Sequence, residues 1–198
     1  MPNNTLLVSL GALLFIGLCW FGWKMTSRSA YESAEYTTEI SDGAFEVRRY
    51  PDLWLASTPS KFDTQGGDGG FMRLFRYISG NNQNQQKIAM TTPVFMEPAG
   101  DQEPEQMGFV LPKTVAEGDI PEPSQSDVHL KQRLGGKFAV HRFSGRLNRQ
   151  TMQKAEEQLR DWMSKNNLSS SAATEMAGYD PPWVPGPFRL NEVLIRLD

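Results

Sequence analysis

The sequence has few of the residues that build disulfide frameworks or metal clusters. Its 198 residues include one cysteine and two histidines. A single cysteine excludes a disulfide framework and a zinc site made of several thiolates, and two histidines exclude a histidine-rich metal cluster. The chain also has no excess of positive charge, since 20 Lys and Arg stand against 23 Asp and Glu. Because a nonspecific nucleic-acid binder needs a positive field, we expect no nucleic-acid partner.

One long uncharged run is present, at the N-terminus. Residues 5–23 form 19 consecutive positions without a charged side chain. As a helix this run is roughly 28 Å long, which matches the hydrocarbon core of a bilayer. Trp20, Phe21 and Trp23 gather at its C-terminal end, as aromatic residues do at a membrane interface. We therefore predict that residues 1–24 are an N-terminal membrane anchor and that residues 5–23 contact lipid.

A cleaved signal peptide is the alternative for the same segment. Residues 1–4 carry no Lys or Arg, which a signal peptide has before its apolar stretch, but Ser27-Arg28-Ser29 is compatible with a cleavage site. Lys24 and Arg28 follow the run, so the positive-inside rule predicts a cytoplasmic domain behind a single-pass anchor. With a cleaved signal, the domain is exported or periplasmic instead.

The rest of the chain predicts strands and two helices. The first helix begins near Gly70, with Asp68 as its cap, and the second follows a cap at Asn148. The pair Gly135-Gly136 is predicted as a two-residue hairpin turn. The apolar face of the second helix is predicted to be Met152, Ala155, Leu159, Trp162 and Met163. The predicted strands cover residues 45–50, 53–58, 87–97, 106–112, 128–134, 137–143, 176–183 and 188–197.

The order of these elements predicts the fold class. Strands, a helix and strands are followed by the same order again, although the two halves do not align as a visible sequence repeat. This order is typical of an α+β protein in which two related β-α-β-β units share one antiparallel sheet or barrel.

Several unusual segments resemble the SOUL/heme-binding protein family. They are RLFRYISG at residues 73–80, KIAMTTPV at 87–94 and AGYDPPW at 177–183, and the resemblance runs from about residue 31 to 197. It implies a SOUL-like domain over residues 35–198 after a linker at 25–34. It also implies a distorted antiparallel β-barrel with two helices and pseudo-twofold halves, which binds heme or another tetrapyrrole on a hydrophobic surface without turning it over.

The sequence departs from the family at positions that bear on heme. Arg49 stands where one type of member has an axial histidine, so that ligand is not carried over. Leu190 stands where the family commonly has a basic residue before NEV, and Leu194 stands where it prefers Trp.

The first helix supplies the predicted cofactor-binding residues. The resemblance places the tetrapyrrole ring against this helix, with Phe71, Met72 and Phe75 as apolar contacts and Arg76 as the partner of a propionate. The alternative for the apolar stripe that includes Phe71 and Phe75 is ordinary packing against the sheet.

The sequence leaves the iron ligand unknown. His129 alternates with apolar residues and is predicted at the surface, whereas His141 is predicted to be a half-buried structural histidine. Met72, Met90 and Met96 are possible soft ligands, for which core packing is the alternative. Weak iron ligation is therefore expected.

Two other functions stay open. A hydrolase would use a buried carboxylate, for which Glu46 and Glu192 are the candidates, although no Ser-His-Asp set, Cys-His set or phosphate loop is apparent. A protein-interaction module is the third possibility. The favoured hypothesis is a membrane-tethered, non-catalytic protein that binds or carries a tetrapyrrole.

Overall fold

The computed structural model describes residues 31–60, 69–98, 105–181 and 184–197. The predicted membrane anchor and the predicted cap Asp68 lie outside these ranges. Within them, no helix has the length and apolar character needed to cross a bilayer.

Three helices lie in the described ranges, where the sequence predicted two. Helix α1 (Gly70–Ile78) and helix α3 (Arg149–Lys165) are the two that were predicted, and α2 (Lys113–Ala116) is a single turn. The sequence missed α2 because four residues carry no recognisable helical period. The predicted cap of α3 is confirmed, since the Asn148 side chain accepts a hydrogen bond from the Thr151 backbone N–H.

Eleven strands are found in the described ranges. They are β1 (Glu32–Ser33), β2 (Thr37–Asp42), β3 (Phe45–Tyr50), β4 (Leu53–Pro59), β5 (Thr91–Thr92), β6 (Val94–Glu97), β7 (Gln106–Val110), β8 (His129–Arg133), β9 (Gly136–Ser144), β10 (Thr174–Gly178) and β11 (Leu190–Leu197). Nine of them form one sheet in the order β2-β3-β9-β11-β10-β6-β7-β4-β8, and every neighbouring pair in it is antiparallel. The short β1 and β5 pair in parallel.

The antiparallel sheet is a curled half-barrel, where a distorted β-barrel was expected. Strands β3 and β4 are joined by Pro51-Asp52 alone, yet five other strands separate them in the sheet. A two-residue link cannot span six flat strand spacings, so the two ends of the sheet must curl toward each other. The curl stops short of closure, because β2 and β8 each pair with one strand only among the described residues.

The predicted hairpin at Gly135-Gly136 is wrong. Strand β8 pairs with β4, whereas β9 pairs with β3 and β11, so the link between β8 and β9 joins the two ends of the sheet. This link crosses the β3–β4 link, where the Gly135 N–H donates to Asp52 Oδ1 at 2.7 Å. A Cβ on Gly135 would lie 2.5 Å from the Tyr50 carbonyl oxygen. Glycine is therefore required here for a close crossing of backbones.

The strand order has an internal two-fold arrangement. Outward from the central pair β10 and β6, one direction runs β10, β11, β9 and β3, with β2 added beyond β3, and the other runs β6, β7, β4 and β8. In each direction the third strand is the one that precedes a helix, and the fourth, β3 or β8, comes from the other half of the chain. Thus β3 lies in the second half of the sheet and β8 lies in the first. This exchange of first strands is the arrangement that two related units in one sheet would give.

Alternating side chains give the sheet two different faces. The Arg133 guanidinium on β8 lies 4.4 Å from the ring centre of Phe138 on β9. Because β8 and β9 lie near opposite ends of the strand order, this contact identifies the face enclosed by the curl. Helices α1 and α3 pack on the other face, against β4 and β7 and against β9 and β11 respectively.

The predicted core face of α3 is largely confirmed. Ala155, Leu159, Trp162 and Met163 are buried. His141 of β9 adds a polar connection, because its Nδ1 lies 3.0 Å from the Ala155 carbonyl oxygen and its ring stacks on Phe45. Burial lowers the pKa of His141, and the bond to Ala155 offsets only part of that effect.

His141 makes the stability of the fold depend on pH. Its pKa is lower in the folded than in the unfolded state, so protonation favours unfolding. The free energy of unfolding should therefore fall as the pH drops below the unfolded value of about 6.5 and toward the folded pKa. Urea denaturation series between about pH 7.5 and 5.5 measure how the free energy of unfolding depends on pH. His141→Phe should flatten this dependence, and the exposed control His129→Gln should keep it. Equal slopes in the parent protein and in both variants would contradict the assignment of the pH dependence to His141.

Candidate functional site

A cavity of about 540 Å³ lies on the helix-bearing face of the sheet. Its volume is in the range of sites for small organic ligands. Helix α1 forms one wall, strands β6 and β7 form another, and the segment after β10 forms one end. The lining residues are Tyr31, Phe71, Met72, Phe75, Met90, Thr92, Val94, Met96, Met107, Leu147, Gly178, Tyr179, Asp180, Pro181, Arg189 and Asn191.

Helix α1 divides its apolar residues between the core and the cavity. Its positions Leu74, Tyr77 and Ile78 are buried against the sheet. The predicted positions Phe71, Met72 and Phe75 line the cavity instead. The nine-residue helix is thus apolar on two adjoining faces, and Phe71 belongs to both, since it also packs against the core.

Two parallel aromatic rings form the α1 wall. The rings of Phe71 and Phe75 lie 6.2 Å apart at an interplanar angle of 13°, and Phe109 packs edge-on against Phe71 at 5.2 Å. Phe109 is buried, so it fixes Phe71 from behind. Phe75 is 43% exposed and Met72 is 47% exposed, so the outer part of this wall is open to an arriving ligand.

Four methionines line the same cavity. Met72, Met90 and Met96 are the three that the sequence indicated as soft ligands, and Met107 joins them from β7. Thioether side chains are polarisable and adapt to the face of an aromatic ring. No local pattern groups Met107 with the others, because the β6–β7 pairing that sets Met96 opposite Met107 is a tertiary feature.

Residues 178–181, within the AGYDPPW segment, supply the polar end of the cavity. Asp180 Oδ2 accepts a hydrogen bond from the Leu190 backbone N–H at 2.6 Å. Tyr179 lines the cavity, and its hydroxyl donates to Glu192 at 2.8 Å. Burial, followed by the nearby Glu192 carboxylate, raises the pKa of the Tyr179 phenol, which therefore stays protonated.

Arg189 was missed by the sequence analysis. It is the one Arg or Lys among the described lining residues, and its Nε donates to the Val184 carbonyl oxygen at 2.7 Å. The family commonly has a basic residue before NEV, and this chain has Leu190 there. The signal for Arg189 is that an arginine stands one position before Leu190.

The predicted Arg76 is exposed on α1 and is not among the lining residues. The neighbouring Arg73 faces the sheet, where its Nε lies 2.9 Å from Thr58 Oγ1 and 3.3 Å from an Asp127 carboxylate oxygen.

Neither histidine lines this cavity. His129 is exposed on the edge strand β8, and His141 is buried beside α3. Among the described residues, no three His, Cys, Asp or Glu side chains are grouped in a way that would hold a metal ion.

The enclosed face of the sheet carries a network of buried charges. Arg48 and Glu192 are fully buried and make a two-pronged ion pair, with Nη–Oε distances of 2.9 and 2.8 Å. Arg48 Nε also binds Glu46 at 2.6 Å, and Arg142 Nε reaches Glu192 at 3.0 Å. Burial lowers the pKa of Arg48, but hydrogen bonds to Glu192 and its charge outweigh burial and raise it. Both candidate carboxylates are therefore held by arginines.

A cavity of this size and lining on an α+β scaffold is the arrangement of a protein that binds an apolar small molecule. The chain belongs to the SOUL heme-binding protein family, whose sequence profile matches residues 31–196. The resemblance found in the sequence is thereby confirmed.

The chain is also similar to individual curated proteins of related name. It is 32% identical to human Heme-binding protein 2 over 124 residues, which cover 59% of this chain and 58% of the relative. It is 27% identical to Heme-binding protein 1 of Xenopus tropicalis over 157 residues, which cover 76% of this chain and 82% of the relative. The chain spans just over half the length of the mouse and human Heme-binding protein 2 sequences, at 53% and 58%.

Solved structures of other proteins share the fold. A hydrolase from Listeria innocua matches with a TM-score of 0.59 at 10% identity, covering 81% of this chain and 94% of that one. The C-terminal domain of EcmrR matches with a TM-score of 0.53 at 9% identity, covering 82% of this chain and 98% of that one. At such low identity these likenesses concern the fold alone.

The buried ion pair between Arg48 and Glu192 should dominate the stability of the fold. Arg48→Met leaves Glu192 and Glu46 short of a buried partner and should cost about 3–5 kcal/mol of unfolding free energy. The matched control is Arg49→Met, the next residue, whose ion pair with Glu39 is exposed and should contribute far less to the unfolding free energy. Urea denaturation measures both, and similar losses for the two variants would contradict this account.

Proposed function

We propose that this protein binds heme or a related tetrapyrrole in the α1 cavity as a carried ligand, without catalysis, and that it is tethered to a membrane. The observation that carries the proposal is a cavity of about 540 Å³ walled by parallel phenylalanines and four methionines, in a chain of the SOUL family. The names of the curated relatives support the same ligand.

The lining residues fit the chemistry of the heme ring. The ring is flat and apolar, and it needs a surface that offers aromatic and polarisable side chains. Phe71 and Phe75 offer two rings in nearly the same orientation, and Met72, Met90 and Met107 surround the space beside them.

Arginines at the polar end and on α1 fit the two propionates. Arg189 lines the cavity, and its bond to the Val184 carbonyl holds the guanidinium in place. Arg76 lies one residue beyond Phe75 and one helical turn after Met72, at the exposed side of the helix. Arginine is suited to carboxylates because its planar fork can donate two hydrogen bonds at once.

The donor set favours weak ligation of the iron. Histidine is absent from the described lining residues, and the Tyr179 hydroxyl is bonded to Glu192, so the side chains left to the iron are the thioethers of Met72, Met90, Met96 and Met107 and the phenol of Tyr31. A bound heme would supply an apolar ring and an iron, while the protein supplies the apolar wall and the propionate partners. This combination suits binding and release better than a permanent redox centre.

The state of the carboxylates supports binding over hydrolysis. Glu192 is held by Arg48, Arg142 and Tyr179, and Glu46 is held by Arg48. A general base must be free to take a proton from its substrate. Asp180, which does line the cavity, accepts a backbone hydrogen bond in its turn.

The proposed tether rests on the sequence. Residues 5–23 are free of charge, and Lys24 and Arg28 follow them, which favours a single-pass anchor with the domain in the cytoplasm. The alternative is an exported or periplasmic domain behind a cleaved signal.

Hemin titration tests the location of the site. Phe75→Asp should weaken hemin binding at least about tenfold, because an ionised carboxylate against an apolar ring loses solvation. Leu134→Asp is the matched control, since Leu134 is an exposed apolar residue outside the cavity lining. Soret titrations of the purified chain in mild detergent measure both affinities. Loss of binding in the control, or none in Phe75→Asp, would place the ligand elsewhere.

The two arginines should contribute unequally to propionate binding. Arg189→Ala should weaken hemin binding about tenfold, the worth of a charged hydrogen bond, and the exposed Arg76→Ala about threefold or less. Neither variant should alter the affinity for a protoporphyrin dimethyl ester, whose carboxylates are uncharged. A parallel titration with both ligands checks this, and equal losses for the ester would show that the arginines act on the fold and not on the propionates.

A further inference from the structure

The structure leaves large apolar side chains exposed around the mouth of the α1 cavity. Five such residues are exposed among the described ones, and Met72 and Phe75 line the cavity itself. Phe188, which is 71% exposed, is the chain neighbour of the lining residue Arg189. The other two, Ile40 and Leu134, lie on β2 and on the β8–β9 link, outside the cavity lining. A concentration of this kind marks a surface that meets an apolar partner.

The most exposed of these residues is presented by a short ordered turn. Phe188 ends a 3-10 turn at Gly186–Phe188, and its backbone N–H donates to the Pro185 carbonyl oxygen at 2.9 Å. Gly186 packs closely against Arg146, whose neighbour Leu147 lines the cavity. The turn thus adjoins the cavity mouth.

Arginines accompany the apolar residues at this surface. Arg76 follows Phe75 on α1, and Arg146 is exposed next to the lining residue Leu147. Arg189 lies within the lining, and Asp180, the one acid among the described lining residues, accepts a backbone hydrogen bond from Leu190. Apolar tips beside arginines are typical of surfaces that insert into the headgroup region of an anionic bilayer.

The chain itself limits how far this surface can lie from lipid. Tyr31 lines the cavity, and seven residues, 24–30, separate it from the end of the uncharged run at Trp23. The eight residue-to-residue steps from Trp23 to Tyr31 span at most about 28 Å when the chain is fully extended. If residues 5–23 lie in the bilayer, as the proposed function holds, the cavity wall at Tyr31 stays within that distance of it.

We propose that the cavity mouth, formed by Met72, Phe75 and Phe188 with Arg76 and Arg146, docks on the surface of the bilayer. Its ligand then passes between lipid and cavity without crossing water. The lipid surface is chosen over a second copy of the chain because the tether keeps the mouth close to lipid and the arginines match anionic headgroups. This proposal rests on the tether in the proposed function.

Site-specific labels in the full chain test the docking. The single cysteine is replaced by Cys19→Ser, and single cysteines are placed by Met72→Cys and Phe188→Cys, with Ile40→Cys and Leu134→Cys as exposed apolar controls. Each carries a polarity-sensitive fluorophore in vesicles of phosphatidylcholine and phosphatidylserine, with and without brominated acyl chains. We expect at least about twofold quenching by brominated lipid at 72 and 188 and little at 40 and 134. Equal quenching at all four sites overturns the proposal. Self-quenching at 72 and 188 that does not change with bromination also overturns it, because it shows that another copy of the chain covers the mouth.

A second variant separates docking from ligand binding. Phe188→Glu should slow hemin transfer from vesicles to the protein about tenfold while leaving hemin affinity in detergent unchanged, because Phe188 is outside the cavity lining. An unchanged transfer rate contradicts docking and leaves heme binding intact. Failure of the parent chain to bind hemin in detergent contradicts the proposed function, while the quenching pattern still decides whether the mouth meets lipid.

Discussion

The rest of the structure depends on one buried ion pair, between Arg48 and Glu192. Arg48 lies on β3, Glu192 lies on β11, and β9 separates the two strands. Burying two charges is costly unless each finds several partners. Glu192 meets this condition through Arg48, Arg142 and Tyr179. Because Tyr179 precedes Asp180 in the turn that forms the polar end of the cavity, the same carboxylate that holds the sheet also positions the binding site.

The alternation of each strand explains how one sheet has two unlike faces. On β11, Glu192 points into the buried charge network, whereas its neighbour Asn191 lines the cavity on the other side. On β6, Phe95 packs under Arg133 inside the curl, and Met96 lines the cavity. The enclosed face is filled by paired charges and aromatic rings, so the space for a ligand lies on the helix-bearing face. There, α1 is apolar on two sides, and one of those sides is not covered by the sheet.

The sequence predicted the elements better than their arrangement. Local patterns identified α1, the capped helix α3 and most strands, and three of the four proposed site residues line one cavity. The hairpin at Gly135-Gly136 was wrong because a glycine pair suits both a tight turn and a close backbone crossing, and only the tertiary pairing decides between them. The role of Met107 depends on the register of β6 and β7, and that of Arg189 on the turn at 186–188, which no local pattern reveals. The two arginine partners of Glu192 come from strands 144 and 50 residues away in the sequence.

The most direct test of the account is the broadening of methionine methyl signals by hemin. The paramagnetic iron broadens nearby protons, and a zinc protoporphyrin control separates this effect from a change in structure. In the chain labelled with ¹³C at its methionine methyl groups, hemin should broaden Met72, Met90, Met96 and Met107, all of which line the cavity. The signals of Met152 and Met163 on α3 should stay sharp, since neither residue belongs to that lining. Broadening centred on Met152 or Met163, with the four cavity methyl groups unaffected, would contradict the claim that the α1 cavity binds the tetrapyrrole.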